Sequence, residues 1–134
     1  MASDRLLVMK TLQEAFDTML FHIRAQGYQR AVNEKGHCQY RADGKKCAVG
    51  ALIPDDLYTR DLDIGYNGVG YPVQTTAVAN TLASAGWRVD TEALSMYAQA
   101  QDCHDDALNW DCADYFESRM RSLAARFNLA YTAP

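Results

Sequence analysis

Between Leu6 and Ile23, apolar residues recur in steps of three and four: Leu6, Met9, Leu12, Phe16, Met19, Leu20 and Ile23 fall on one face of a helical wheel. This spacing predicts one long amphipathic helix over residues 4–26, with Ser3 able to cap its start and Gly27 able to end it. Met9 and Met19 on that stripe read as core filler.

The second constraint lies in "HCQYRADGKKCAVGALIPDDLY", residues 37–58. Asp43-Gly44 is a favoured central pair for a two-residue type I′ turn, which needs positive φ at both positions. The turn predicts a small hairpin over about residues 38–49, pairing Ala42 with Lys45, Tyr40 with Cys47 and Cys38 with Val49. Cys38, Tyr40, Cys47 and Val49 then share the inward face, and Gln39, Arg41, Lys46 and Ala48 the wetter one. Cys38 and Cys47 fall diagonally across that face at roughly 7 to 8 Å between α-carbons, beyond usual disulfide reach. The run "CAVGALI" suits either a strand or a tight helix start packed close to another backbone, and Pro54 with Asp55 and Asp56 ends it.

Residues 57–74, with Gly65, Gly68, Gly70, Pro72, Tyr66 and Tyr71, read as a long mobile glycine-rich loop. Its GxxGxG order lacks a preceding strand, and Pro72 spoils the helix start, so it is not a dinucleotide fingerprint. Three helices complete the pattern. One runs from a Thr75 or Thr76 cap to Ala85, with Val78 and Leu82 inward and Gly86 as its stop. The next starts at Asp90 or Thr91 and carries Leu94, Tyr97, Gln101, His104 and Leu108 on one track. The last starts at Asn109 or Asp111, with Phe116, Met120, Leu123 and Phe127 in a stripe. The fold class expected is α+β and mainly helical, in a single globular domain over residues 1–134.

With 49% hydrophobic and 22% charged residues, the composition is that of a folded chain. A net charge of -4 and no long basic run argue against direct nucleic-acid binding. Asp4, Arg5 and Lys10 interrupt the first apolar stretch, so neither a signal peptide nor a membrane span is expected, and the chain is placed in the cytoplasm. There the four cysteines stay reduced, which favours thiol or metal chemistry over a disulfide framework.

Three chemistries fit subsets of these residues. Cys38, Cys47, Cys103, His104 and Cys112 supply donors for zinc, but their eight-residue gaps lack the short ligand spacing of a zinc knuckle, so no metal and no other cofactor is expected. Cys47, if it opens a helix beside Lys45 and Lys46, has the setting of a lowered thiol pKa, with His104 as base. The reading of a buried thiol and a hydrogen-bonded core histidine stands against it. Asp55, Asp56, Asp61 and Asp63 form no calcium loop and read as solvated acids.

The pattern C-x-Y-R-x-x-G-x-K-C-A-V-G-A-L-I-P-D-D, from Cys38 to Asp56, resembles a family of small bacteriophage and prophage proteins. In that family the segment follows an amino-terminal helix and precedes a helix with a His-Asp dipeptide, here His104-Asp105, with Trp110 opening the closing helix. The resemblance covers the first 58 residues and, more loosely, residues 94–129, whereas Cys103 and Cys112 look particular to this chain. It implies a phage-encoded accessory protein in the host cytoplasm that binds a host protein, for example an anti-defence inhibitor of the CRISPR kind. The contact surface expected is Tyr66, Tyr71, Asp55, Asp56, Asp61, Asp63 and Arg41. The alternative is a small cysteine-dependent enzyme, or a small-ligand sequestering protein, using Cys47 and His104.

Overall fold

The computed structural model describes residues 10–65, 70–105 and 113–134. Ser3, Leu6, Met9, Tyr66, Gly68, Leu108, Asn109, Trp110, Asp111 and Cys112 lie outside these. Among the described residues the chain is mainly helical with one antiparallel hairpin. Its elements are α1 (Leu12–Ala25), β1 (Arg41–Ala42), β2 (Lys45–Lys46), α2 (Thr76–Ser84), α3 (Thr91–Asp105) and α4 (Ala113–Arg126), with 3-10 turns at Val49–Leu52 and Arg60–Asp63.

Thr11 interrupts the continuous helix that the apolar stripe predicts. Thr11 is extended (φ -81°, ψ 164°) and closes a capping box: its hydroxyl accepts from Glu14 N, and Glu14 accepts from Thr11 N. Lys10 instead forms a parallel bridge with Trp87 and lays its ammonium 4.3 Å from the Trp87 ring centroid. One unbroken helix over residues 4–26 is therefore corrected at Thr11, after which the helix runs Leu12–Ala25. Leu12, Ala15, Phe16, Met19, Leu20 and Ile23 form its buried face.

Three helices end alike. After α1, Gly27 N and Tyr28 N donate to Arg24 O and Ile23 O, and after α2, Gly86 N and Trp87 N donate to Ala83 O and Leu82 O. Asn128 N and Leu129 N repeat the pattern on Ala125 O and Ala124 O behind α4. This Schellman arrangement needs a left-handed residue, and Gly27, Gly86 and Asn128 adopt φ of 69°, 92° and 57°.

The hairpin keeps its expected register, Arg41 opposite Lys46 and Ala42 opposite Lys45, with Asp43 and Gly44 both at positive φ (55° and 72°). It is shorter than expected. Tyr40 O still accepts from Cys47 N, but Cys38 pairs with Val32 and Val49 turns into a 3-10 helix, so Cys38 and Val49 do not face each other. The cause is close packing at Gly50, where a Cβ would lie 2.2 Å from Tyr40 O. The chain must coil tightly past that carbonyl, and Ala48, expected on the wet face, is buried with Cys47 and Val49.

One core gathers the inner faces of the helices around this turn. α3 contributes Ala93, Met96, Tyr97, Ala100, Cys103 and His104. Trp87 seals the end of the 3-10 turn by donating Nε1–H to Leu52 O at 2.7 Å.

Candidate functional site

The candidate surface lies on the loop between the hairpin and α2, and its base is built by a buried carboxylate. Asp63 is 4% exposed. Its Oδ1 accepts Tyr40 N at 2.7 Å, and its Oδ2 accepts Arg41 N at 3.3 Å and the Tyr58 hydroxyl at 2.5 Å. The first two bonds tie the loop to the hairpin, and the third joins Tyr58 to Asp63 within the loop. Burial, then the bond to Asp63, pushes the Tyr58 phenol well above its ordinary range, so Tyr58 stays a donor.

The returning end is fixed with equal economy. Gly70 N donates to Cys38 O and Tyr71 N to Leu62 O, while the Tyr40 hydroxyl donates to Tyr71 O. Space at Gly70 is tight, since a Cβ would lie 3.0 Å from both Asp63 Oδ1 and the Tyr40 ring. The expectation of a mobile loop is thus corrected for its described ends, which are hydrogen-bonded to the hairpin.

Of the residues expected on a contact surface, Tyr71 (38% exposed), Asp55, Asp56 and Asp61 are at the surface. Asp63 is not, because its oxygens are consumed by backbone N–H groups inside. Arg41 is corrected too. Its guanidinium donates to Ile53 O at 2.6 Å, pairs with Asp55 at 2.7 Å and stacks over Tyr58 at 4.7 Å, which makes it a brace between hairpin, turn and loop. Asp55, exposed, is held below the usual carboxylate range by Arg41 first and Lys46 second. Sequence reading missed Ile64, which stands 57% exposed where the chain leaves the second 3-10 turn.

Cys47 and His104 are both buried, at 0% and 1% exposure. The Cys47 sulfur accepts Gly50 N at 3.2 Å, and the 3-10 turn begins two residues later. The His104 Nε2 faces Gln29 O at 3.1 Å and Tyr28 O at 3.3 Å. Two carbonyls can only accept, so the ring proton sits on Nε2. Nδ1 is buried without a hydrogen bond, and the ring packs edge-on to Phe116. His104 therefore makes no hydrogen bond to the Cys47 thiol. Burial, against partial compensation by the two carbonyls, lowers its pKa to about 4.

Cys38, Cys47 and Cys103 are not disulfide-bonded. No three metal-ligating side chains gather among the described residues, so Cys38, Cys47, Cys103 and His104 are not brought together there, and Cys112 lies outside. A cleft of about 360 Å³ opens beside the loop, between Cys38, Tyr40, Tyr71, Val73 and Gln101. No protein-family model matches the chain, nor does any curated protein or solved structure. No helix among the described residues is long and apolar enough to cross a membrane.

Proposed function

We propose that the chain is a phage-encoded accessory protein that works by binding a host protein in the host cytoplasm, with an anti-defence inhibitor, for example of CRISPR, as the specific form. The observation that carries this reading is the pair Ile64 and Tyr71. Both are large, apolar and exposed, and they leave the two ends of one loop whose base is pinned by Asp63, Tyr40 and Gly70. A rigid mount lowers the ordering cost of binding, and exposed apolar anchors beside Asp56 and Asp61 suit a partner surface with basic groups around an apolar patch.

Affinity capture from host lysate at near-physiological salt tests this. The wild-type chain should retain a protein that an Ile64→Ser/Tyr71→Ser double variant loses, with unchanged circular dichroism. If nothing is retained, or the double variant retains the same protein, the reading fails.

The cleft beside Cys38 supports the small-ligand alternative, since its volume suits one small molecule. Catalysis through Cys47 and His104 has no comparable support, because a nucleophile at 0% exposure does not meet a substrate. Alkylation by iodoacetamide separates these. Cys38 should react and Cys47 should not until the chain is unfolded.

A further inference from the structure

Before the hairpin, a short strand leaves one edge open. Val32 bridges Cys38 in antiparallel fashion, and the two bonds of the bridge belong to its neighbours: Asn33 N donates to His37 O at 3.0 Å, and Gln39 N to Ala31 O at 2.8 Å. Val32 and Cys38 are therefore a non-hydrogen-bonded pair, whose own N–H and C=O groups point away from each other. On the far side of Cys38 the outward carbonyl is used, since it accepts Gly70 N at 3.1 Å. On the far side of Val32, neither the N–H nor the C=O has a hydrogen-bond partner among the described residues.

An open edge of this kind is completed by another extended backbone. Two copies of the chain that meet about a two-fold axis at Val32 run antiparallel, so that Val32 faces Val32, Ala31 faces Asn33 and Arg30 faces Glu34 of the other copy. Each Val32 N–H then donates to the other copy's Val32 O. Arg30, Val32 and Glu34 alternate onto one face of the strand. The two valines cover each other at the centre, and an opposite-charge pair closes each end. Like charges directly opposite would weaken such a pairing, and this register has none. Val32 is half-buried, and Glu34 is exposed with no ion pair or hydrogen bond among the described residues. Val32, Asn33 and Glu34 also line one wall of an open groove of about 750 Å³, so the strand is within reach of solvent and of a second chain.

We propose that this edge is a homodimer interface, closed by strand pairing between two copies of the chain at Val32. The occupant is a second copy because the register that satisfies both open N–H and C=O groups also sets Arg30 against Glu34, twice by symmetry. The association is weak and reversible, since a single residue pair supplies the backbone bonds. It uses neither Ile64 nor Tyr71 and does not rest on the host-binding reading, so Ile64→Ser/Tyr71→Ser should leave the dimer intact.

Sedimentation equilibrium of the full chain at about 0.15 M salt tests this. Wild type should show a reversible monomer–dimer equilibrium with a Kd below about 1 mM. Val32→Pro removes the outward N–H and spares the inner ladder, whose bonds come from Ala31 O and Asn33 N. It should raise Kd at least about ten-fold, because each lost bond counts twice across the axis. Glu34→Arg, at a position exposed in the monomer, sets Arg against Arg and should also raise Kd at least about ten-fold; it decides the matter if Val32→Pro does not fold. Exchanging the charges in Arg30→Glu/Glu34→Arg should return Kd to within about three-fold of wild type. A wild-type chain that is monomeric at about 1 mM, or a dimer whose Kd neither Val32→Pro nor Glu34→Arg changes, overturns the proposal. So does a dimer that Ile64→Ser/Tyr71→Ser abolishes, because the copies then meet through the loop.

Discussion

Gly50 has no room for a methyl group: its missing Cβ points at Tyr40 O, 2.2 Å away, and that carbonyl is held by Cys47 N. Gly50→Ala should cost about 3 kcal/mol in urea unfolding, against about 1 kcal/mol for Gly36→Ala, where φ is 82° but space is open. The small-residue run left a close backbone approach as one of two readings, without naming the backbone it meets. His104 supplies a pH dependence. Its pKa falls from 6.5 unfolded to about 4 folded, so below pH 6.5 the unfolded chain takes up a proton that the native chain does not. This contribution is fully present above about pH 6.5 and is lost progressively down to about pH 4, amounting to about 3 kcal/mol. His104→Gln, which keeps a donor for the Tyr28 and Gln29 carbonyls, should flatten stability between those pH values in denaturant titrations. That His104 is a core residue was one of two readings open in the sequence, since its track with Tyr97 and Gln101 marks a face without naming what packs on it.

The elements were legible where local chemistry decides and obscure where tertiary contacts do. Asp43-Gly44 set the hairpin register, and Gly27 and Gly86 set helix ends. Thr11-Leu12-Gln13-Glu14 carried a capping box, but the apolar stripe continuing to Leu6 outweighed it. Thr11→Ala should cost about 1 kcal/mol, read as a shift of the urea midpoint. The hairpin ends were hidden because Gly50's approach to Tyr40 and Val32's bridge to Cys38 join segments that no periodicity connects. Asp63 could not be distinguished from its solvated neighbours for the same reason, as its partners are the N–H groups of Tyr40 and Arg41. Asp63→Asn removes one acceptor and sets an amide against donors. It should cost about 2 to 3 kcal/mol and raise amide exchange at Tyr40 and Arg41.

At the scale of the whole molecule, α1 and α4 are joined by the Arg24–Glu117 pair, whose side chains are 15% and 10% exposed. Glu117→Ala removes the carboxylate that Arg24, Tyr28 and Tyr131 share, leaving the guanidinium the Thr132 carbonyl, and should lower stability by about 3 kcal/mol. Adding Arg24→Leu should recover much of that loss, a coupling that chemical denaturation of all four chains measures. The stripe of α4 gave a sign of this pair, because Glu117 sits next to Phe116 and three residues before Met120. An acid at such a position needs a partner, although the sequence does not say which. The loop surface was half legible: glycines and tyrosines drew attention to it, while Ile64 passed as one more apolar residue.

Two glutamines share one geometry. Gln26 donates to Lys46 O at 2.8 Å and accepts Lys46 N at 2.9 Å, just as Gln13 does with Ala130. Each side-chain amide thus stands in for a neighbouring strand of a single residue, using an amine half and an oxygen half that are both required. Hydrolysis of either amide to its acid, a change of one mass unit, would leave an oxygen facing a carbonyl. An amide is therefore required at both places, one beside the hairpin and one beside residues 129–134.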